Sequence, residues 1–367
     1  MFFSWVPLTF FHSLAIVNHQ YFMVNINLSI QHRCKALEIL RSFPNPVSAN
    51  ILAGELGISR VALWKMVRKL RELAYPIHTG REGYQLAADQ DPDLLCPWEL
   101  GAFGLRTEWF PETSSTMEEA KNRFSRRSQS LQRKEPTAPA QEPFYTVAET
   151  QTAGRGRFHR SWESLRGGIY LTVTLFRRVP LAIVGRYPLL AGVVWVETLQ
   201  ELFPTFSKGP TPHPITLKWP NDILMGNRKI GGILLDMEVE GDTATRIDLG
   251  IGFNVRNHPK DPKAAALIDL IGPSLPPRRM ILQAYLHRLE RALVDPYLKS
   301  AIPRWKRFSS TLGKPVRILF PASRAAGLST LTGTAVDIGP GGELVVRSSD
   351  GSLKVVSYGD CHHRHRL

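Results

Sequence analysis

The hydrophobic period of the chain changes twice, and this constrains its fold more than any single residue does. Apolar residues recur at helical spacing from Arg33 to about Leu73, helical and strand-like runs then alternate, and short strand-like runs alone follow Leu312. No one layer architecture serves three such patterns. A chain of 367 residues therefore divides into domains, each able to bury a core of its own.

The first pattern predicts three helices and a hairpin. RCKALEILRS gives the first helix; Ser48 caps ANILAGELG, which ends at Gly57; Ser59 caps SRVALWKMVRKLREL. On this third helix Val61, Leu63, Val67, Leu70 and Leu73 are expected to face a small core, with Trp64 read as packing and Arg60, Lys65, Arg68, Lys69 and Arg71 covering other faces. YPIHTGREGYQLA then reads as two short strands around a glycine turn. The sum is a winged helix-turn-helix over residues 33–88, with the helix-turn-helix itself at 49–68. Residues 1–32 form an apolar extension without Lys, Arg, Asp or Glu. Pro7, His12 and Asn18 interrupt it and no positive segment precedes it, so it reads as an overlong start or loose tail, with Met23 as the alternative start, and not as a membrane anchor. From about Asp89 to Pro97 the acidic, proline-bearing DQDPDLLCP suits a linker.

Residues 98–308 predict a mixed α/β domain. FYTVAE, GGIYLTVTLF, ITLKWPN, GGILLDMEVE and RIDLGIGFNV read as strands, and YPLLAGVVWVETLQELF and RRMILQAYLHRLERALVDPYLKS as helices. Within this domain SRRSQSLQRKEPTAPAQEP reads as a mobile insert, rich in charge, Ser, Gln and Pro. Residues 312–367, with KPVRILF, STLTGTAVDI, ELVVRS and SLKVVSY separated by GPGG and SDG, predict a small β-barrel. A formal net charge of +14 makes an anionic partner expected without choosing among nucleotide, nucleic acid and acidic protein. Cys34, Cys96 and Cys361 are odd in number and far apart, which gives neither a disulfide framework nor metal-ligand spacing and fits a reducing cytoplasm. The terminal CHHRHRL is read as a solvated or packed strand end and not as a metal site.

Two segments carry chemistry. In ETQTAGRGRFHRSW, Gly154 and Gly156 alternate with Arg155 and Arg157 directly after a predicted strand. Glycine lets backbone approach an anion, and arginine forms directed hydrogen bonds to phosphate or carboxylate. Taken alone, four such residues fit a basic surface turn equally well. In KWPNDILMGNRK, Lys218 stands at a strand end before a Pro-Asn-Asp turn, where its point charge can face an anion. Taken singly, a solvated lysine is the commoner case. Nothing in the sequence shows the desolvation that a covalent lysine nucleophile would need.

QTAGRGR followed by KWPND at this spacing resembles the biotin protein ligases, and the resemblance extends from about Arg33 to Arg364. It implies the three-part bacterial form that is both ligase and biotin-operon repressor: a winged helix-turn-helix, a class II synthetase-like mixed α/β ligase domain and an SH3-like β-barrel, α+β overall. Carried over by motif, it places Ser115, Thr116, Met117, Gln151, Gly154, Arg155, Gly156, Arg157, Lys218, Gly250 and Gly252 at biotin. Arg157, Arg160, Trp162, Lys218, Lys229 and Asn254 fall at ATP or the adenylate, with Lys218, Arg155 and Arg157 as the catalytic groups. Ser59, Arg60, Lys65, Arg68 and Lys69 would meet DNA. Two departures stand out: Met117 replaces the family's usual Asn, and FHRSW alters the family's GRKW-like loop ending. Arg364 matches an arginine through which the barrel meets the catalytic domain.

The resemblance implies ATP with Mg2+ and biotin as substrates, and no resident metal. Its expected partners are the biotin carboxyl carrier protein of acetyl-CoA carboxylase, biotin operator DNA and a second copy when adenylate-bound, without a membrane. A lipoate protein ligase, or a repressor that senses biotin without transferring it, is the alternative.

Overall fold

A computed structural model of the chain describes residues 27–131, 142–204, 214–320 and 330–363. Two compact units divide at Leu105 and Arg106. Residues 1–26, with the candidate start Met23, lie outside the described part, as does Arg364.

The first unit opens with helix α1 at 27–42, six residues earlier than the sequence predicts. Helices α2 (Ala49–Leu56) and α3 (Arg60–Glu72) follow. The caps are as expected: Ser48 accepts from the Ile51 amide, Ser59 from the Ala62 amide, and Gly57 ends α2 at φ 65°. Leu37, Leu40, Leu52, Leu56, Leu63, Val67 and Leu70 are buried. Val61 and Trp64 are not; they are 64% and 51% exposed, which corrects both the core assignment of Val61 and the packing assignment of Trp64. Strands β1 (Ile77–Thr79) and β2 (Tyr84–Leu86) pair antiparallel as the wing, and Val47 bridges to Tyr84.

The acidic stretch is no free linker. Leu94, Leu95 and Cys96 are buried, and Arg41 of α1 spans Asp91 and Glu99, each at 2.8 Å. The Tyr75 hydroxyl donates to Glu99 at 2.5 Å and accepts from Trp98 Nε1 at 3.1 Å. Carboxylates so far from water are stable only when paired, and removing one partner of such a pair typically costs about 3–5 kcal/mol. Residues 98–105 consequently belong with the winged helix, and the second unit starts at Arg106.

The second unit is built on a seven-stranded sheet. Its strands are β3 (Thr107–Phe110), β4 (Phe144–Ala148), β5 (Ile169–Pro180), β6 (Ile215–Lys218), β7 (Asp222–Met225), β8 (Arg228–Glu240) and β9 (Thr243–Phe253), in the order β3-β4-β5-β9-β8-β7-β6. Only β3 and β4 run parallel; the other neighbours are antiparallel. Helix α4 (Thr116–Leu131) takes in the start of the predicted insert, whose residues 132–141 lie outside the described part. Short α5 (Leu181–Val184) leads into α6 (Arg186–Leu202), followed by α7 (Ile268–Ile271), α8 (Arg278–Ala292) and α9 (Ala301–Phe308). Trp195 of α6 stacks between Phe253 of β9 at 4.2 Å and Tyr285 of α8 at 4.1 Å, fixing the helices on the sheet. Among the described residues, Leu181–Leu202 is the one helical stretch long and apolar enough to cross a membrane, and most of Tyr187 to Leu199 is buried in this core.

The last module is a five-stranded antiparallel sheet in the order β13-β12-β11-β10-β14. Its strands are β10 (Pro315–Leu319), β11 (Thr330–Ile338), β12 (Leu344–Arg347), β13 (Leu353–Val356) and β14 (Asp360–His363). The CHHRHRL segment thus starts as a paired strand, with Val316 opposite His363.

Candidate active site

A cavity of about 920 Å³ opens over the middle of the seven-stranded sheet. The segment after β4 forms one wall, the ends of β6 to β8 a second, the β9 glycines the floor, and β14 the far side.

Gln151 organises the first wall. Its side-chain oxygen accepts from the Thr116 amide at 2.8 Å and the Thr116 hydroxyl at 3.2 Å, while its nitrogen donates to Ser164 at 2.8 Å. Thr172 of β5 donates to the Thr116 hydroxyl at 2.9 Å. Ser115 and Thr116 are buried by this network at the start of α4. Gly154 does not line the cavity; a Cβ there would lie 2.4 Å from the Trp162 carbonyl and 2.6 Å from Ser164 Oγ. Its function is to let the two arms of the loop meet, through the Trp162 amide donating to the Gly154 carbonyl at 2.8 Å.

The loop ends on left-handed backbone, with Phe158 at φ 56° and His159 at φ 58°. Two consecutive non-glycine residues of this kind cost on the order of 1–3 kcal/mol each and persist only where surrounding contacts hold them. Here the contacts come from the C-terminal module. Arg157 donates to the Gly359 carbonyl at 3.1 Å, and Arg160 pairs with Asp360 at 3.1 Å. The Arg157 side chain also stacks on Phe158 at 4.9 Å, and its burial lowers the guanidinium pKa. Burial alone would raise the Asp360 carboxyl; Arg160, together with His362 and Lys218, more than offsets this and holds it below the usual aspartate range. Arg155 also lines the cavity and pairs with Glu118 on α4.

On the second wall Lys218 stands at the end of β6, its Nζ 3.9 Å from Asp222, and Lys229 of β8 reaches the same carboxylate at 2.5 Å. Lys229 also lies 5.1 Å from the centre of the Trp162 ring. The turn between Lys218 and Asp222 contains a cis Trp219-Pro220 bond, and Trp219 Nε1 donates to the Gly342 carbonyl at 3.0 Å. Gly250 and Gly252 make room on the floor: a Cβ at Gly250 would be 2.4 Å from Met117 Sδ, and one at Gly252 2.5 Å from the Trp162 ring. The buried Trp162 Nε1 has no acceptor among the described residues. Asn254 is buried and accepts from Asn257 at 2.8 Å.

Every residue predicted at biotin or nucleotide, Gly154 apart, lines this one cavity. The prediction missed Asp222, although KWPND contains it, because an acid in an anion site has no evident use until its two lysines are seen. It also missed Asp360 and His362, 3.2 Å apart on β14, since nothing in a terminal strand marks it as a wall of a distant cavity. His363 contacts the Thr311 hydroxyl at 3.1 Å, and among the described residues no group of three His, Cys, Asp or Glu could hold a metal ion.

This architecture has known counterparts. Residues 115–254 match the profile of the Biotin/lipoate A/B protein ligase family, residues 33–85 an HTH domain, and residues 311–364 the biotin protein ligase C terminal domain. The bifunctional ligase/repressor BirA of Bacillus subtilis (strain 168) is 30% identical over 331 residues, 85% of this chain and 92% of that protein. The chain belongs to the biotin protein ligase family. A biotin--[acetyl-CoA-carboxylase] ligase of Mycobacterium tuberculosis is 33% identical over 59% of this chain and 77% of its own length. A structure of the biotin protein ligase of Aquifex aeolicus, in complex with biotin and ATP, superposes with a TM-score of 0.52 at 25% identity, covering 71% of this chain and 99% of that one. The first profile spans residues 115–254, the stretch of chain that holds the residues expected at biotin and nucleotide.

Proposed function

We propose that this member of the biotin protein ligase family activates biotin with the magnesium complex of ATP and transfers it to a lysine of the biotin carboxyl carrier protein of acetyl-CoA carboxylase. The observation that carries the reading is the single cavity in which Arg157, Arg160, Lys218 and Lys229 face two glycines of a sheet floor. In the first step a biotin carboxylate oxygen attacks the α-phosphorus, an O–P bond forms, and pyrophosphate leaves with the electrons of the broken P–O bond. Two anions must meet, so the cations that line the cavity supply the chemistry: they relieve the repulsion and stabilise charge on the leaving group. We assign Lys218, Arg155 and Arg157 to this step, Ser115, Thr116, Gln151, Met117, Gly156, Gly250 and Gly252 to biotin, and Arg160, Trp162, Lys229 and Asn254 to the nucleotide. The unpartnered Trp162 indole N–H supports a ligand acceptor at that place. In the second step a neutral lysine amine attacks the mixed anhydride carbonyl, AMP leaves, and the amine loses its proton. No protein nucleophile is required.

We further propose that the winged helix binds operator DNA as a repressor and that the adenylate-bound chain dimerises. β7 pairs with β8 no further than Gly232, so residues 234–240 have only β9 as a strand neighbour among those described, which supports strand pairing with a second copy. Burial of Cys96 and Cys361 as free thiols supports a reducing cytoplasm.

The deciding experiment is transfer of labelled biotin to an isolated carrier domain, with lipoate in parallel. ATP-dependent biotinylation is the expected result. Biotin binding without transfer would make the chain a sensor, and labelling by lipoate alone would place it with the lipoate ligases.

A further inference from the structure

The exposed face of α3 has a composition that phosphate binding alone does not explain. At 100° per residue, Val61, Trp64, Lys65 and Arg68 share one side of the helix, opposite the buried Leu63, Val67 and Leu70. The indole is half open to water in the middle of the helix, and with Val61 beside it the two form an apolar pair on a cationic face. The arginine beside it has two partners: the Arg68 guanidinium lies 5.1 Å from the Trp64 ring centre and pairs with Glu72 at 3.7 Å, both of which favour an orientation along the ring. Arg60, Lys65 and Lys69 surround the apolar pair with charge, and Ser59 caps the helix end that enters a groove first in helix-turn-helix proteins.

Resting on the DNA-binding reading above, we propose that Trp64 is a specificity-determining residue that reads thymine, its ring packing on a 5-methyl group in the major groove while it braces Arg68 for a neighbouring base. The cationic surround selects duplex DNA as the occupant of this face. Among base edges in the major groove only thymine offers an apolar group, and Trp64 with Val61 is the apolar feature of the face. Charge on the lysines and arginines supplies affinity without sequence; the indole supplies discrimination.

The test uses the full chain with biotin and ATP. Binding sites are first selected from a random-sequence duplex pool, and each thymine of the selected site is then replaced in turn by deoxyuridine, which removes only the methyl group. Wild-type protein should lose about fivefold or more in affinity at one or two of these positions. Trp64→Ala should bind the intact site correspondingly more weakly and be indifferent to those same replacements, with Trp64→Phe in between. The salt dependence of binding should be unchanged in both variants, because no phosphate contact is removed. Trp64→Ala with wild-type affinity, or with the wild-type pattern of deoxyuridine sensitivity, overturns the assignment. A pool from which wild-type protein enriches no sequence overturns the DNA reading itself and the role of Trp64 with it. Thermal unfolding followed by circular dichroism separates a misfolded head from a lost contact.

Discussion

Lys218 and Met117 show how single side chains set this site. Lys218 is held between a strand end and Asp222, with Lys229 on the same carboxylate. A preorganised cation aimed at developing phosphate charge is worth about 100-fold or more in rate. Lys218→Ala should therefore slow adenylate formation by about that factor, read as biotin-dependent pyrophosphate release, with unfolding unchanged; an unaltered rate would remove Lys218 from the mechanism. Met117 makes a different demand. Its sulfur lies against Gly250 where a Cβ would be, so the side chain that replaces the family's usual asparagine uses space that the glycine provides. Gly250→Ala should destabilise by about 1–3 kcal/mol through overpacking. Adding Met117→Ala should recover most of it, and denaturant titration of the two single variants and the double variant measures that coupling. Additive losses would show that the two residues do not share the space.

At the scale of elements, the loop between β4 and β5 is held by the entry to β14, Arg157 and Gly359 lying 202 residues apart in sequence. Left-handed Phe158 and His159 leave it dependent on Arg157 at Gly359 and Arg160 at Asp360. The Arg160 pair is half exposed, which limits its worth to roughly 0–1 kcal/mol. Asp360→Asn should accordingly raise tryptic cleavage at Arg155, Arg157 and Arg160 about two- to fivefold in ligand-free protein, and biotin with ATP should suppress the difference. Equal cleavage rates would disconnect the loop from the barrel. Much of this was legible beforehand. QTAGRGR and KWPND named residues that line one cavity because such chemistry needs short, local signatures; the helix caps of the head followed from Ser48, Gly57 and Ser59 for the same reason. What stayed hidden was relational. β7 (Asp222–Met225) is short and follows directly on the Pro-Asn-Asp turn, α9 carries a proline, and neither is among the predicted elements; the Asp91–Arg41 pair joins the acidic stretch to a helix 50 residues upstream. Val61 is apolar, but at 100° per residue it and Trp64 fall on the side opposite Leu63 and Val67, so its type and not its period suggested the core.

For the whole molecule, the position of the seam decides which truncation yields a working ligase. The acidic stretch suggests cutting at residue 88, but Asp91 and Glu99 pair with Arg41, and Trp98 with Tyr75, all inside the first unit. A chain starting at residue 89 would keep Leu94, Leu95, Trp98 and Phe103 without the helices that bury them, and the Glu99 carboxylate without its arginine. One starting at Arg106 leaves a unit with its own sheet, its own helical core and the complete cavity. The match of 99% of the Aquifex aeolicus ligase to 71% of this chain supports such a unit as sufficient for a biotin protein ligase fold. Both truncations should lose specific binding to the duplex selected by the full chain, since each lacks α3. The second should retain biotin transfer to the carrier domain within severalfold of the full chain and stay monodisperse, whereas the first should bind a hydrophobic dye and aggregate. Size-exclusion chromatography beside the transfer assay decides it. If the shorter deletion is the better behaved, residues 89–105 belong to the catalytic unit after all; if either truncation still binds the selected duplex specifically, DNA recognition lies outside the winged helix.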